Sequence, residues 1–211
     1  MYRRLILLRH GQTYYNATRR MQGQLDTQLD DVGREQAALA AERFAAASIS
    51  RVIASDLERA FDTATIIGDR IDVAVETDAR LRETDLGQWQ GCTHAEVDAE
   101  DPDARLRWRN DATWAPPGGE SRLDVARRAR PVVDGLIEDF GAWPGSSVLL
   151  VAHSGTISAL TSHLLGLDVS QYPLLTSLHN TAAAVLTDRA KAEDEPEGQW
   201  HLQAWNLGGK V

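Results

Sequence analysis

The sequence lacks the features by which secreted and membrane proteins are recognised. It contains one cysteine, Cys92, so the chain cannot form a disulfide within itself. It also lacks an apolar run long enough to span a bilayer, and it lacks the charged and apolar regions of a signal peptide. We therefore expect a cytoplasmic protein that does not act at a membrane.

Positive charge is also scarce in this chain. The 22 lysines and arginines are outnumbered by 31 acidic residues, which gives a net charge of −9. Proteins that bind nucleic acids usually carry a basic surface, so we expect no nucleic-acid partner. To bind an anionic substrate, the protein would need several arginines close together, because its overall negative charge repels an anion. Arg9, Arg19, Arg20 and Arg59 are the first candidates for such a cluster.

Length and patterning predict an α/β fold. The 211 residues, 43% of them hydrophobic, suffice for one core, so we expect a single domain over residues 1–211. Short apolar runs alternate with helix-forming stretches, which is typical of an α/β sheet with buried strands. These runs are residues 5–8, 51–54, 71–75, 147–152, 181–187 and 199–205. Residues 12–31 are too polar for the core and predict a long loop with at most one helical turn.

Two of the apolar runs end in a histidine. Residues 5–8 lead into Arg9-His10-Gly11, and residues 147–152 lead into His153-Ser154-Gly155. The ligand crevice of an open α/β sheet lies past the carboxyl ends of its strands, so we expect both histidines there. The second histidine also begins a predicted helix, whose N-terminus attracts anions. The glycine after the first histidine allows a sharp turn close to a ligand.

The segment between these histidines contributes an arginine and a glutamate. Ser55-Asp56-Leu57-Glu58 has the pattern of a capping box and predicts the start of a helix. Arg59 follows in the first turn, off the core-facing stripe that includes Phe61, and a cation there opposes the helix dipole. A residue that opposes its local preference is a candidate for function. Glu83 lies in a later polar loop and is a candidate proton donor.

Together these residues supply the parts of a phosphoryl-transfer site. Such a site needs a nucleophile, cations around the phosphate oxygens and an acid for the leaving oxygen. A neutral imidazole can be the nucleophile and form a phosphohistidine intermediate. The candidate set is Arg9, His10, Arg59, Glu83 and His153, with Asn16 and Gln22 as candidate amide donors. This set works without a metal or a cofactor, and the motifs of cysteine phosphatases, P-loop enzymes, zinc sites and α/β-hydrolases are absent.

Four blocks of the sequence resemble the histidine phosphatase superfamily, which includes the cofactor-dependent phosphoglycerate mutases. The blocks are residues 8–16, 55–64, 81–91 and 151–155. The resemblance implies a three-layer α/β/α fold with a mostly parallel central sheet. It also implies that His10 accepts the phosphate, that Glu83 is the general acid and base, and that Arg9, Arg59 and His153 form the phosphate pocket. The residues that it assigns to substrate binding are Gly11, Thr13, Asn16, Gln22, Gly23 and Ser154.

Further stretches resemble one branch of this superfamily, the actinobacterial enzymes that hydrolyse glucosyl-3-phosphoglycerate to glucosylglycerate on the way to methylglucose lipopolysaccharides. These stretches are residues 21–27, 111–116 and 118–122. The resemblance predicts a phosphatase that acts on this small phosphorylated metabolite, and it favours a homodimer. The chain departs from the pattern at Ser154, where a second glycine is expected, and in its C-terminal segment. Both departures concern the contacts to the sugar.

Two other functions remain open. A mutase of the same fold typically carries Arg-His-Tyr-Gly after the acid and a longer insertion, whereas this shorter chain has Thr84-Asp85-Leu86-Gly87. A non-catalytic module that binds a phosphorylated ligand would not need Glu83. We expect residues 88–120 to form an insertion over the active site, with tryptophans that are either packing anchors or walls of the substrate pocket.

Overall fold

Six strands form one sheet in the computed structural model, which describes residues 2–141, 143, 145–189 and 198–208. They are β1 (Tyr2–Arg9), β2 (Ile49–Ala54), β3 (Val75–Thr77), β4 (Ser147–Ala152), β5 (Ala183–Arg189) and β6 (Gln199–Leu207). Their order across the sheet is β3-β2-β4-β1-β5-β6. The pairs β2–β3, β2–β4 and β1–β4 are parallel, whereas β5 is antiparallel to both of its neighbours. The predicted mostly parallel sheet is confirmed.

Helices cover both faces of this sheet. They are α2 (Asp31–Phe44) and α3 (Glu58–Ile71) on one face, and α6 (Arg122–Asp139) and α7 (Ser154–Leu164) on the other. The remaining helices are α1 (Tyr14–Ala17), α4 (His94–Glu100) and α5 (Ala104–Asn110). Side chains alternate along β1, so that Leu5 and Leu7 pack with α6 and α7, while Ile6 and Leu8 pack with α2 and α3. A central strand covered on both faces must be apolar throughout, which explains the run at residues 5–8. The predicted three-layer arrangement is confirmed.

The pairing of β1 with β4 brings the two histidines together. Arg9 lies opposite Ala152 in this parallel ladder, and the His10 N–H donates to the Ala152 carbonyl oxygen at 3.0 Å. His10 directly follows Arg9, and His153 directly follows Ala152, so the two histidines lie side by side at the carboxyl edge of the sheet. The ladder thus places two residues that are far apart in sequence at one point.

Residues 88–120 carry tryptophans that pack on one another. The helices α4 and α5 lie in this segment. The ring centroid of Trp89 lies 5.9 Å from that of Trp108 and 5.5 Å from that of Trp114. Met21, from the loop after β1, is buried in the same cluster. No helix of the described residues is long and apolar enough to cross a membrane.

The structure corrects three local predictions. The strand predicted at residues 71–75 is wrong, because α3 extends to Ile71 and β3 begins only at Val75. The prediction that residues 55–58 form a capping box is also wrong. The helix α3 begins at Glu58, and the Glu58 N–H donates at 2.8 Å to Asp26 of a distant loop. The core-facing stripe is rotated, so that Phe61 is 39% exposed and Arg59 only 1% exposed.

Candidate active site

His10 is buried at the end of β1 with one ring nitrogen already engaged. Its Nδ1 lies 2.6 Å from the Gly11 carbonyl oxygen. A carbonyl oxygen only accepts, so Nδ1 carries the proton and Nε2 keeps a lone pair. Burial, together with the positive charges of Arg59 and Arg9, holds the pKa of His10 well below 6.5. His10 is therefore neutral at neutral pH and has a nucleophilic nitrogen.

His153 lies directly against His10. The two ring centroids are 5.1 Å apart, and the side chain of His153 is fully buried. Neither of its ring nitrogens has a hydrogen-bond partner among the described residues. Buried polar atoms are nearly always hydrogen-bonded, so these two nitrogens indicate a place for a polar ligand. Burial and the nearby charge of Arg59 hold the pKa of His153 well below its ordinary value, and this ring is neutral too.

The buried Arg59 and the half-buried Arg9 place positive charge beside the histidines. Arg59 donates to the carbonyl oxygens of Gly23 and Leu25, each at 2.7 Å, and Arg9 donates to that of Leu178 at 2.5 Å. Burial lowers the pKa of Arg59 to about 10 and also lowers the pKa of Arg9, yet both remain cationic at neutral pH. Backbone carbonyls hold both guanidinium groups, and the Nε of each has no partner in the described part of the chain.

Glu83 is bound to the N-terminus of α7. Its Oε1 accepts from the N–H groups of Thr84 and Thr156 at 2.8 and 3.1 Å, and its Oε2 accepts from the N–H of Gly155 at 3.2 Å. The helix N-terminus favours a carboxylate at this place. Residue 155 must be glycine for so close an approach, because a Cβ there would lie 2.5 Å from Glu83 Oε1. The helix that begins directly after His153 thus positions the glutamate.

Two side-chain amides are oriented by their oxygens. The Asn16 Oδ1 accepts from the backbone N–H of Thr13 and from Asn180, each at 3.2 Å. The Gln22 Oε1 accepts from the hydroxyls of Thr13 and Thr27 at 2.9 and 2.6 Å. Because both oxygens are engaged, the amide NH₂ groups are the ends left for a ligand.

A cleft of about 200 Å³, here called the site cleft, is lined by most of the predicted residues. The predicted residues on its lining are Arg9, His10, Asn16, Arg20, Gln22, Gly23, Arg59, Glu83 and Ser154. His153 is fully buried and does not border the cleft, but its ring centroid lies 5.1 Å from that of His10. Gly11 and Thr13 do not border the cleft: the Gly11 N–H donates to the Thr63 hydroxyl at 3.0 Å, and Thr13 is fully buried. These two residues hold the loop after β1 in place.

Several other lining residues were missed from the sequence. They are Thr84, Leu86, Arg122, Ser158, Tyr172, Leu175 and Ser177. Arg122 carried a usable signal, because it is a cation in the first turn of α6, as Arg59 is in α3. The residues of the loop at 175–177 carried none, because no local pattern shows which loop folds over a site. Trp108, which the sequence left as either anchor or wall, borders the site cleft.

The fold and the site together define an α/β protein with a cationic cleft built around two neutral histidines. The family model of the histidine phosphatase superfamily (branch 1) matches residues 5–207. The chain belongs to this superfamily, which confirms the resemblance seen in its four sequence blocks.

Named relatives cover nearly the whole chain. The glucosyl-3-phosphoglycerate phosphatase of Mycolicibacterium vanbaalenii is 51% identical over 217 residues, which cover 99% of this chain and 96% of the relative. That of Mycobacterium tuberculosis is 49% identical with the same coverage. A solved structure of a mycobacterial glucosyl-3-phosphoglycerate phosphatase in complex with VO3 has a TM-score of 0.94 at 49% identity, covering 98% of this chain and 100% of that one. A probable phosphoglycerate mutase of Yersinia enterocolitica is 38% identical over 77% of this chain and 75% of its own length.

Proposed function

We propose that the protein is a metal-independent phosphatase that hydrolyses glucosyl-3-phosphoglycerate to glucosylglycerate through a phosphohistidine. The observation that carries this proposal is the pair His10 and His153, with ring centroids 5.1 Å apart, beside the buried Arg59 and the half-buried Arg9. The mycobacterial relatives that are 51% and 49% identical to this chain are named for this substrate, which supports the choice.

In the first proposed step, Nε2 of His10 attacks the phosphorus atom. Its lone pair forms the new bond, because the proton of the ring is held on Nδ1 by the Gly11 carbonyl. The bond between phosphorus and the ester oxygen breaks. Glu83 enters this step as the neutral acid, because the bound phosphate disfavours a second negative charge beside it, and gives its proton to that oxygen, so that glucosylglycerate leaves as an alcohol. Arg9, Arg59 and His153 bind the phosphate oxygens, and the two guanidinium groups offset their charge.

In the second step, a water molecule attacks the phosphohistidine. Glu83, now without its proton, removes a proton from this water. The bond between phosphorus and Nε2 of His10 breaks, and inorganic phosphate leaves. The same forces that keep the pKa of His10 low, burial and two nearby cations, favour the return of a neutral imidazole. Neither step needs a metal or a cofactor.

The second candidate function is a phosphoglycerate mutase, in which the phosphohistidine passes its phosphate to a hydroxyl group. The 38% identity to a probable phosphoglycerate mutase is the reason to test it. This function predicts that 2,3-bisphosphoglycerate stimulates exchange between phosphoglycerates, and free phosphate as the main product would exclude it. A non-catalytic binding module would bind the phosphorylated ligand without turnover.

Two measurements test the proposed function. Phosphate release is compared for glucosyl-3-phosphoglycerate, 3-phosphoglycerate and simple sugar phosphates, and the first is expected to be hydrolysed fastest. A labelled phosphomonoester quenched in alkali should leave label on His10 in the wild type and none in His10→Gln. His201→Gln, on an exposed position of β6, is the matched control and should keep the label. An activity that EDTA abolishes, without any adduct, would reject the mechanism.

We also propose the wider setting that the resemblance implies. The chain acts as a single domain over residues 1–211, with residues 88–120 as an insertion over the active site. It forms a homodimer and works in the cytoplasm on the way to methylglucose lipopolysaccharides. Sedimentation equilibrium tests the dimer, and a monomer at micromolar concentration would contradict it.

A further inference from the structure

A second cationic cleft adjoins the site cleft. It encloses about 570 Å³, and the residues that it shares with the lining of the site cleft include Arg9, Arg20, Trp108 and Arg122. The other arginines on its lining are Arg19, Arg105 and Arg109. Gathering so many guanidinium groups is unfavourable by itself, even in a chain with a net charge of −9, and an anionic ligand would offset that cost.

Besides Arg9, which the Leu178 carbonyl holds, three of these arginines have no acidic partner among the described residues. Arg105 pairs with Asp98 at 2.5 Å, and Arg20 lies 3.7 Å from Glu96. By contrast, no carboxylate oxygen of the described residues lies within 4.0 Å of the guanidinium groups of Arg19, Arg109 and Arg122. Their charges are therefore available to an anion in the second cleft.

Arg122 is the best positioned of the three. It is the first residue of α6, directly after the helix cap Ser121. Its guanidinium stacks over the Trp108 ring, 5.4 Å from the centroid, and donates to the Arg109 carbonyl oxygen at 2.9 Å. These contacts hold the planar group in one orientation, so little conformational freedom is lost when it binds a ligand.

The chemistry of the proposed substrate calls for such a group. Glucosyl-3-phosphoglycerate carries a carboxylate a short carbon chain away from its phosphate. The phosphate belongs beside His10 in the site cleft, and Arg122 borders both clefts. A guanidinium group can bind a carboxylate through two parallel hydrogen bonds. The glucosyl group is neutral and has no use for the charge.

We infer that Arg122 binds the carboxylate of the substrate and selects phosphate esters that carry one. Arg19 and Arg109 add to the positive field around it. This inference rests on the proposed function, because it assigns the second anionic group of the same substrate. It makes Arg122 a specificity-determining residue and leaves the chemistry at His10 unchanged.

The test compares two substrates that differ only at the carboxylate. One is glucosyl-3-phosphoglycerate, and the other is its analogue with the carboxylate reduced to a hydroxymethyl group. The wild type is expected to prefer the first by about 10- to 100-fold in kcat/KM, the range for one charge-assisted pair. Arg122→Met should abolish this preference, chiefly through a higher KM for the carboxylate substrate. Arg122→Lys should restore part of the preference, because lysine keeps the positive charge but lacks the two parallel N–H donors of the guanidinium group.

Two controls separate recognition from damage to the fold. Arg107→Met should keep the wild-type preference, because Arg107 stacks on Trp114 and pairs with Asp101 without lining either cleft. The inhibition constant of inorganic phosphate should change by less than about 2-fold in Arg122→Met, because phosphate is held beside His10 by Arg9 and Arg59 and carries no carboxylate for Arg122 to bind. If Arg122→Met does not fold, Arg122→Lys carries the test, with an expected fall in preference of at least about 3-fold.

The outcomes distinguish the inference from the proposed function. If the wild type hydrolyses both substrates equally, or if Arg122→Met and Arg122→Lys keep the full preference, the carboxylate site is wrong and the phosphatase stands. If the wild type hydrolyses neither substrate but dephosphorylates other esters, the proposed substrate itself is wrong.

Discussion

Replacing Gly155 by alanine tests whether the backbone of α7 positions Glu83. A Cβ at residue 155 would lie 2.5 Å from Glu83 Oε1 and 2.7 Å from Thr84 Oγ1. Comfortable contacts need about 3.5 Å, so the carboxylate would have to move by about 1 Å. The hydrogen bonds that Glu83 accepts from Gly155 and Thr156, at 3.2 and 3.1 Å, could not both survive this shift.

The expected loss is larger in catalysis than in stability. A positioned acid contributes about 10²- to 10⁴-fold, and a misplacement of about 1 Å costs about 100-fold. We therefore expect kcat for glucosyl-3-phosphoglycerate to fall by about 100-fold. Weakening two hydrogen bonds to a half-buried carboxylate costs about 1–2 kcal/mol, and alanine in place of helical glycine returns about 0.5–1 kcal/mol. The free energy of unfolding should fall by no more than about 1 kcal/mol.

The leaving group separates a displaced acid from a damaged pocket. Glucosylglycerate must be protonated as it leaves, whereas p-nitrophenolate leaves without a proton. Gly155→Ala should therefore lose about 100-fold on the first ester and less than about 5-fold on p-nitrophenyl phosphate. Gly135→Ala in α6 is the matched control, because its Cβ would meet nothing within 4 Å, and it should keep full activity on both. Equal losses on the two esters, or full activity of folded Gly155→Ala on the sugar ester, would refute the reasoning.

Three further predictions concern an arginine, two titrations and a close packing contact. Arg59→Lys should lower kcat/KM by about 10³-fold and the free energy of unfolding by about 2 kcal/mol, as measured by kinetics and urea unfolding. The reason is that a lysine cannot donate to the carbonyls of both Gly23 and Leu25 and also bind the phosphate. A rate near that of the wild type would contradict this prediction. The low pKa values of His10 and His153, caused by burial and Arg59, mean that the unfolded state binds more protons below pH 6.5. As the pH is lowered below 6.5, the free energy of unfolding should then fall by about 1.4 kcal/mol per pH unit for each of the two histidines. In His153→Asn, urea unfolding between pH 7 and 5 should show the pH dependence of one histidine instead of two. Gly11→Ala should cost at least about 2 kcal/mol in urea unfolding, because its Cβ would lie 2.4 Å from the Gly33 carbonyl oxygen of α2; an unchanged midpoint would show that the loop yields freely.

The sequence predicted best those features that depend on neighbours along the chain. The apolar run at residues 5–8 is covered on both faces by helices, as the pattern of a buried central strand predicts. His10 and His153 were predicted to meet because each follows such a strand, and parallel strands end at the same edge of a sheet. Both inferences needed only the pattern and the rule of sheet topology.

The features that the sequence did not predict depend on partners from elsewhere in the chain. The start of α3 is set by Asp26, 32 residues before the N–H that it accepts from. Arg59 is buried against expectation because the loop carbonyls of Gly23 and Leu25 satisfy its donors. A periodicity argument assigns an arginine to solvent, since it cannot know that such acceptors will be present. Arg122 carried the signal of a cation in the first turn of a helix, but its supports, Trp108 and the Arg109 carbonyl, come from another helix that no local pattern connects to it.

The acceptor that holds each arginine decides what that arginine can do. On the surface, carboxylates hold the guanidinium groups, as Glu76 holds Arg51 and Glu42 holds Arg70, and each such pair is close to neutral as a whole. In the site cleft and beside it, backbone carbonyls hold Arg9, Arg59 and Arg122. A carbonyl dipole orients a guanidinium group and relieves part of its desolvation without cancelling its charge, so the full charge remains for an incoming anion. A chain with a net charge of −9 can thus bind a doubly charged phosphate, because Arg9, Arg59 and Arg122, which have no acidic partner among the described residues, all line the cleft that contains His10.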